Sequence, residues 1–385
     1  MTQLTDQELL DRVRALVPKI AERAPQCELE RTPNDDTIRE LSETGVYSLL
    51  VPKRWGGPEL SLATHIQIVE MISAACTSTG WVSCFYMGHN WMATKMSEQA
   101  QGEIFGERPY GRIPVTTSPP VKAKAVAGGW EISGRASWAS GIMHADWVWL
   151  SGLTEDKQLK IFMMPPEDVQ VHDVWRMSGM AGTGSNDVEV DGVFIPEYRS
   201  QDSATFFAGR TAGSAIHENP LYQMPLLPFV YCEAVPVLTG GLRGAASAFA
   251  ATLRRRVTSH AQTVVKDQQH THILYGESET NALVAEALMR ELHNQTMDCL
   301  QRNTFSVNDR LRLKSQAAFL VQHCRQSVTQ MMSHAGTTSF QTDHPLQRYF
   351  RDLTTLSTHA FWNWDTTRES VGRDQLGLEL NNPLV

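Results

Sequence analysis

Several features that would place a chain quickly are missing from this one. Its six cysteines (Cys27, Cys76, Cys84, Cys232, Cys299 and Cys324) stand far apart, with no Cys-x-x-Cys pair, a usage that favours reduced thiols. No segment is apolar over the ~20 residues that a membrane helix needs. The polar start Met1-Thr2-Gln3-Leu4-Thr5-Asp6 does not read as a targeting peptide, so a cytoplasmic protein is expected. Basic residues form no long block. Their densest cluster is Arg254-Arg255-Arg256, and the formal charge is -8, which argues against nucleic acid as a partner. There is no Gly-x-Gly-x-x-Gly run and hence no sign of a built-in NAD(P)H site. His270-x-His272 has no carboxylate or further ligand at a metal-binding spacing, so no metal is expected.

What is present is a globular composition. At 385 residues and 42% hydrophobic content, the chain is long and apolar enough for two or three packed units. Up to about residue 109 the pattern is helical. Leu9, Leu10, Val13, Leu16 and Ile20 recur at helical spacing, and a second apolar set runs through Ile38, Leu41 and Val46. The run Val51-Pro52-Lys53-Arg54-Trp55-Gly56-Gly57 breaks the pattern, and a helix resumes at Ser61. The next helical stretch concentrates Trp81, Tyr86, His89 and Trp91, which reads either as an aromatic core or as a pocket wall with a polar edge.

From residue 110 to about 200 the texture changes to short alternating runs, among them Val121–Val126, Trp130–Ser133, Trp147–Leu150, Ile161–Met164 and Val188–Val190. These predict a β-domain, with hairpin turns at Gly128-Gly129 and Asp191-Gly192. In it, Trp138 and Ser140 are two apart in a segment expected to be extended, which puts both side chains on one side. A linker from about Ser200 to Pro228 follows, and helices fill the rest of 201–385. One of them starts at Pro236, carries small residues at Gly240, Gly241 and Gly244, and runs past Arg256.

The C-terminal stretch from His344-Pro345 to His359 reads as one helix beginning near Pro345. Its spacing sets Arg348, Asp352, Thr355 and His359 on one face, so that Arg348 pairs with Asp352 and Arg351 is left for another partner. His359 borders the aromatic run Phe361-Trp362-Asn363-Trp364. Such a histidine reads either as a core residue at a helix end or as a tuned base or hydrogen-bond donor in an apolar pocket.

These runs together resemble the flavin-dependent monooxygenases built on the acyl-CoA dehydrogenase fold, the oxygenase halves of two-component systems. The matching segments are Ser78-Thr79-Gly80-Trp81 with His89; Thr116-Thr117-Ser118-Pro119; Gly134-Arg135-Ala136-Ser137-Trp138-Ala139-Ser140-Gly141; Gly179-Met180-Ala181-Gly182-Thr183-Gly184-Ser185; and Gly336-Thr337-Thr338 followed by Pro345-Leu346-Gln347-Arg348, Arg351-Asp352 and His359. Ala181 departs from the family, which usually has arginine there. The resemblance implies an α+β multidomain fold: a helical N-terminal domain (1–109), a middle β-domain (110–200), then a linker and a C-terminal four-helix bundle (201–385). It also implies a homotetramer. Reduced flavin, FADH2 or FMNH2, would come from a separate NAD(P)H:flavin reductase, react with O2 to a C4a-hydroperoxide, and oxygenate an aromatic or heteroaromatic molecule of phenol or indole type.

By the same resemblance, His359 and Ser140 are the catalytic candidates. Trp81, Thr116, Thr117, Trp138, Ser140, Arg256 and Thr337 are the cofactor-binding ones, and His89 and Trp175 the substrate-binding ones. The choice of FMN or FAD turns on whether a neighbouring subunit offers a groove for the adenosine half. Two other readings are an acyl-CoA dehydrogenase and a flavin-free binding relative. The first needs a glutamate base where this chain has Ser357-Thr358-His359, and the second is disfavoured by Trp138, Ser140 and His359 standing together.

Overall fold

Side-chain caps start most of the N-terminal helices. Thr5 and Glu8 form a reciprocal capping box that opens α1 (Asp6–Glu30), Asn34 caps α2 (Asp35–Glu43), and Ser61 caps α3 (Leu62–Ala75). Next come α4 (Thr77–Ala93) and α5 (Glu98–Phe105). α4 is buried on nearly every side, with Trp81, Tyr86, His89 and Trp91 all inside. The computed structural model describes residues 4–257 and 264–382, so Met1, Thr2 and Gln3 of the polar start lie outside the described residues.

The middle of the chain forms a seven-stranded sheet from β1 (Val115–Val126), β2 (Gly129–Ala139), β3 (Val148–Thr154), β4 (Leu159–Met164), β5 (Gln170–His172), β6 (Asn186–Pro196) and β7 (Ser200–Asp202). Its order is β5-β6-β2-β1-β3-β4-β7, antiparallel except for the parallel pair β1 and β3. Two expected turns are corrected. The β1–β2 hairpin turns one residue earlier than read, because Gly129 already pairs with Val126 and a Cβ there would lie 2.1 Å from the Ile195 carbonyl oxygen. Asp191-Gly192 is no hairpin at all. Ile132 pairs with Val193 and Gly134 with Val190, so two residues of β6 oppose Ser133 in a bulge, with Gly192 at φ +64.

The stretch read as linker contains α6 (Ser203–Ala208) and leads into α7 (Leu226–Ala234). Then follow α8 (Pro236–Arg255), α9 (Gln269–Gln301), α10 (Val307–His334), α11 (Pro345–Leu356) and α12 (Trp364–Gln375). The small residues of α8 admit its neighbours. A Cβ on Gly240 would meet Glu70 of α3 at 2.3 Å, and one on Gly241 would meet Leu353 at 2.6 Å. α8 and α11 run antiparallel, since Gly241 meets Leu353, Gly244 meets Tyr349, and Thr252 hydrogen-bonds His344 at 3.1 Å. One apolar core joins the helices before and after the sheet, and a smaller one lies within the sheet around Ile132, Leu150, Phe162 and Val188. Among the described residues no helix is long and apolar enough to cross a membrane.

Candidate active site

A line of hydroxyl groups ties the sheet to the N-terminal helices. The Trp81 indole N–H donates to Ser140 Oγ at 3.1 Å, Ser140 Oγ lies 2.7 Å from Ser185 Oγ, and Ser185 Oγ lies 2.7 Å from Thr183 Oγ1. Thr183 donates to the Met180 carbonyl at 2.9 Å, and the Met180 N–H donates to Asp352 Oδ1 at 2.6 Å. With each hydroxyl donating once, Thr183 gives its proton to Met180, Ser185 gives its own to Thr183, and Ser140 gives its own to Ser185. Ser140 is therefore left with a lone pair and no proton to spare. Asp352 is buried, and burial raises its carboxyl to about 7.

The local backbone explains this line. Trp138 sits at φ 69, a left-handed conformation uncommon for a bulky residue, and the β2–β6 register shifts between Ala136 and Ala139. This corrects the extended reading of the segment. The bend sends the Trp138 ring outward, 65% exposed, and turns Ser140 inward, where it is 8% exposed. The 179–185 run is held from behind. Gly179 packs on the Arg351 carbonyl and Gly182 on the Cys27 sulfur, where a Cβ would come to 2.2 and 2.5 Å.

His359 meets the same group of residues from the C-terminal side. Its ring centroid lies 5.9 Å from Trp81 and 4.8 Å from Trp362, while Phe361 flanks it at 5.0 Å. The expected helix through His359 ends earlier, at Leu356, and His359 instead caps the following 3-10 turn over Ala360–Trp362. The Phe361 N–H points at His359 Nδ1 at 3.3 Å, which assigns the ring proton to Nε2. Burial lowers this histidine to about 4, so it is neutral at pH 7 and offers an N–H donor rather than a group titrating near neutrality. The expected Arg348–Asp352 pair does not form among the described residues. Asp352 takes the Met180 N–H instead, and Arg351 is bound to the Ser178 carbonyl, Gln347 and Glu28.

The remaining candidates divide into two groups. His89 joins the site through Phe85, whose ring packs on Trp81 at 4.5 Å and stacks on His89 at 4.7 Å. Thr116 is buried and donates to the Ser137 carbonyl beside Trp138, whereas Thr117 is exposed. Trp175 spends its indole N–H on the Met180 carbonyl at 2.9 Å, bracing the turn that carries Thr183 and Ser185. Arg256 and Thr337 belong elsewhere. α8 stops at Arg255, so Arg256 is its cap rather than part of the helix, and its guanidinium lies over Gly336 beside Thr337 while bonding the His334 carbonyl at 3.2 Å. In the antiparallel α8–α11 pair that is the end opposite His359, about 18 Å away by the length of α11.

Residues 232–364 match the family described as "Acyl-CoA dehydrogenase, C-terminal domain", and residues 4–103 match "Acyl-CoA dehydrogenase, N-terminal domain". A "Pigment production hydroxylase" of Rhodococcus sp. (strain ATCC 21145) is 40% identical, over 99% of this chain and 100% of the relative. A "Flavin-dependent monooxygenase, oxygenase subunit HsaA" of Rhodococcus jostii (strain RHA1) is 29% identical, over 98% and 100%. The chain belongs to the flavin-dependent monooxygenases of the acyl-CoA dehydrogenase fold. The crystal structure of a 3-HSA hydroxylase from Rhodococcus sp. RHA1 superposes with a TM-score of 0.91 at 29% identity, over 98% of this chain and 99% of that one. As a member of these monooxygenases, the protein is an oxygenase component that works with reduced flavin and O2.

Its residues fit a flavin ring. Trp138 and Met143, 65% and 53% exposed, offer apolar surface to a ring, and Ser140 offers a lone pair. A lone pair there suits the N–H that reduced flavin carries on its central ring and oxidised flavin lacks. Sequence reasoning did not pick out Ser185, Thr183, Phe85 or Trp362 as site residues, although each lies in or beside a run already singled out. It also passed over Glu233, whose signal was a lone carboxylate in the apolar run Phe229-Val230-Tyr231-Cys232-Glu233-Ala234.

Proposed function

We propose that this monooxygenase hydroxylates a small aromatic molecule of phenol or indole type, held between the flavin ring and the aromatic side chains of α4 and the 359–362 turn. Reduced flavin, when bound, would supply the two electrons that activate O2, so that one oxygen atom enters the substrate and the other leaves as water. Trp138 would lie against the ring of a bound flavin, and Ser140 would accept its central N–H with the free lone pair. Trp81 orients Ser140, and the Ser185–Thr183–Asp352 line fixes the hydroxyl so that no reorientation is needed on binding. His359 contributes a neutral Nε2–H donor among Trp81, Phe361 and Trp362, available to hydrogen-bond developing negative charge. The observation that carries this reading is the convergence of Trp81, Ser140 and His359 from three separate parts of the chain.

Arg256 and Thr337 lie at the opposite end of α11 from His359, and in this reading they serve the phosphate side of a flavin held by a neighbouring copy in a homotetramer. A separate NAD(P)H:flavin reductase delivers the cofactor. The test supplies such a reductase, NAD(P)H, O2 and a panel of phenols and indoles, and measures hydroxylated product against H2O2. Wild type is expected to give product. His359→Ala is expected to divert about tenfold more of the O2 to H2O2, equivalent to about 1.4 kcal/mol. Absence of product across the panel, together with reduction of bound oxidised flavin by acyl-CoA thioesters, would make the protein a dehydrogenase.

A further inference from the structure

Behind the turn that carries Thr183 and Ser185 lie two cysteines that the reading above leaves without a task. Cys27, near the end of α1, and Cys76, at the start of α4, are each 3% exposed. Cys27 Sγ donates to the Gly182 carbonyl at 3.5 Å and lies 3.8 Å from Thr79 Oγ1, in the first turn of α4. A Cβ on residue 182 would come to 2.5 Å from this sulfur, so glycine is what lets the turn rest on it. Cys76 occupies the N-terminal cap position of α4, and its sulfur is hydrogen-bonded to that of Cys27.

The two thiols are unlike. At a helix N-terminus the free N–H groups and the helix dipole favour a thiolate. The Cys76 thiol is held below its ordinary range first by the hydrogen bond from Cys27, then by Thr79 and the charge of Arg348, against the opposing effect of burial. Arg348, buried and not paired with Asp352, brings that charge from α11. Cys27 goes the other way, raised by the same hydrogen bond and by burial. A nucleophilic sulfur and a protonated neighbour are therefore in contact. Cys84, Cys232 and Cys324 are instead raised by burial, as inert core thiols are.

We propose that Cys27 and Cys76 form a peroxide-reactive site, which closes to a disulfide and slackens the turn that holds Ser140 in place. The oxidant is hydrogen peroxide, which forms from O2 whenever oxygen transfer to the substrate fails. The Cys76 sulfur attacks one peroxide oxygen; an S–O bond forms as the O–O bond breaks, and the departing hydroxide takes up the proton that Cys76 had released. The Cys27 sulfur then attacks the Cys76 sulfur; the S–S bond forms as the S–O bond breaks, and hydroxide leaves as water with the Cys27 proton. Two thiols and one peroxide become one disulfide and two waters, the sulfurs giving up the two electrons that the peroxide gains.

The proton lost from Cys27 is the one that bonds Gly182. The Gly182 carbonyl thereby loses that donor, next to Thr183, whose hydroxyl is fixed in the line to Ser185 and Ser140. The inference does not depend on which ring the enzyme hydroxylates.

In the test, the full chain is reduced, freed of reductant, exposed to H2O2, denatured in N-ethylmaleimide and digested for peptide mass spectrometry. A linked Cys27–Cys76 peptide pair is expected, with the other four cysteines alkylated. Met143, 53% exposed, reports through its sulfoxide in the same digest that the oxidant acted. Anaerobic titration should show reduced flavin bound about fivefold more weakly after peroxide, the size of one neutral hydrogen bond. Dithiothreitol should reverse that loss, as it does not reverse methionine sulfoxide. Cys76→Ser, which keeps a good N-cap residue, should show neither the link nor the reversible loss. Cys27→Ala removes the second thiol, so that Cys76 should gain two oxygen atoms as a sulfinic acid. Met143 sulfoxide without the linked pair, or a linked pair with unchanged flavin affinity, overturns the proposal.

Discussion

The two polar groups along α4 are built in opposite ways. Around Trp81, every hydroxyl from Ser140 to Thr183 has a partner, and the line ends on a backbone carbonyl whose own N–H is held by Asp352. Around His89, eight residues further on, an acid and an imidazole face each other with unused hydrogen-bonding atoms. A satisfied network fixes a geometry before any ligand arrives, whereas an unsatisfied one is poised to take a ligand's polar group. The first suits a cofactor that must be presented in one orientation, whereas the second holds an acid and an imidazole unpaired.

The difference can be broken at its most crowded point first. Gly88→Ala drives a methyl group to within 1.9 Å of the buried Glu233 carboxyl, and should destabilise the protein by about 2 to 3 kcal/mol, read by urea denaturation. Glu233→Ala in the same chain should recover part of that loss, and strict additivity of the two substitutions would show that they do not meet. Next in size is Asp352→Ala, which strands the buried Met180 N–H and should cost about 2 kcal/mol.

Asp352→Asn keeps an acceptor and sharpens the same point through pH. The carboxyl of Asp352 is raised to about 7 in the folded protein, so the folded state holds a proton that the unfolded chain gives up near 4. Its contribution is complete below about 4 and is lost as pH rises through 7. Wild type should therefore lose stability relative to Asp352→Asn across that window, and parallel curves would refute the assignment.

Ser140→Ala should be milder for folding, about 1 kcal/mol, because one neutral hydrogen bond, from the Trp81 N–H, is lost. Its larger effect should fall on the cofactor, with about tenfold weaker binding of reduced flavin and a smaller change for oxidised flavin, which lacks the central N–H. Equal weakening of the two forms would remove Ser140 from that contact. The smallest expected effect is a null one. Because burial lowers His359 to about 4, it stays neutral from pH 5 to 8, and coupling of O2 to product should show no step over that range that His359→Ala abolishes. By the same sign, its contribution to stability is present above about 6.5 and is lost as pH falls through 4.

The helix–sheet–helix succession was legible because helical and alternating periods are properties of neighbouring residues, and burial of one face follows from them. The Pro345 helix start and the five β-type runs were read on that basis, and the structure has them. Local reasoning failed where the backbone leaves its regular period. Trp138 in a left-handed conformation undoes the two-residue alternation, the Asp191-Gly192 bulge imitates a hairpin, and α11 stops one turn before His359. At the bulge the Gly192 N–H bonds Ser133 Oγ across the sheet, and at the end of α11 the Trp362 indole N–H takes the Leu356 carbonyl.

What the chain determined by itself is which residue types stand ready: an indole and a hydroxyl at 138 and 140, a histidine beside aromatics at 359, and a histidine eight positions after Trp81. Pairing was decided only by tertiary structure. Asp352 took a backbone N–H rather than Arg348, and Glu233, a single carboxylate in an apolar helix, came to rest in the gap left by Gly88. Charge and hydrogen-bonding capacity are carried by single residues, but whether they are satisfied depends on distant partners, as with Met180 and Asp352, 172 positions apart, and sequence spacing holds no record of those distances.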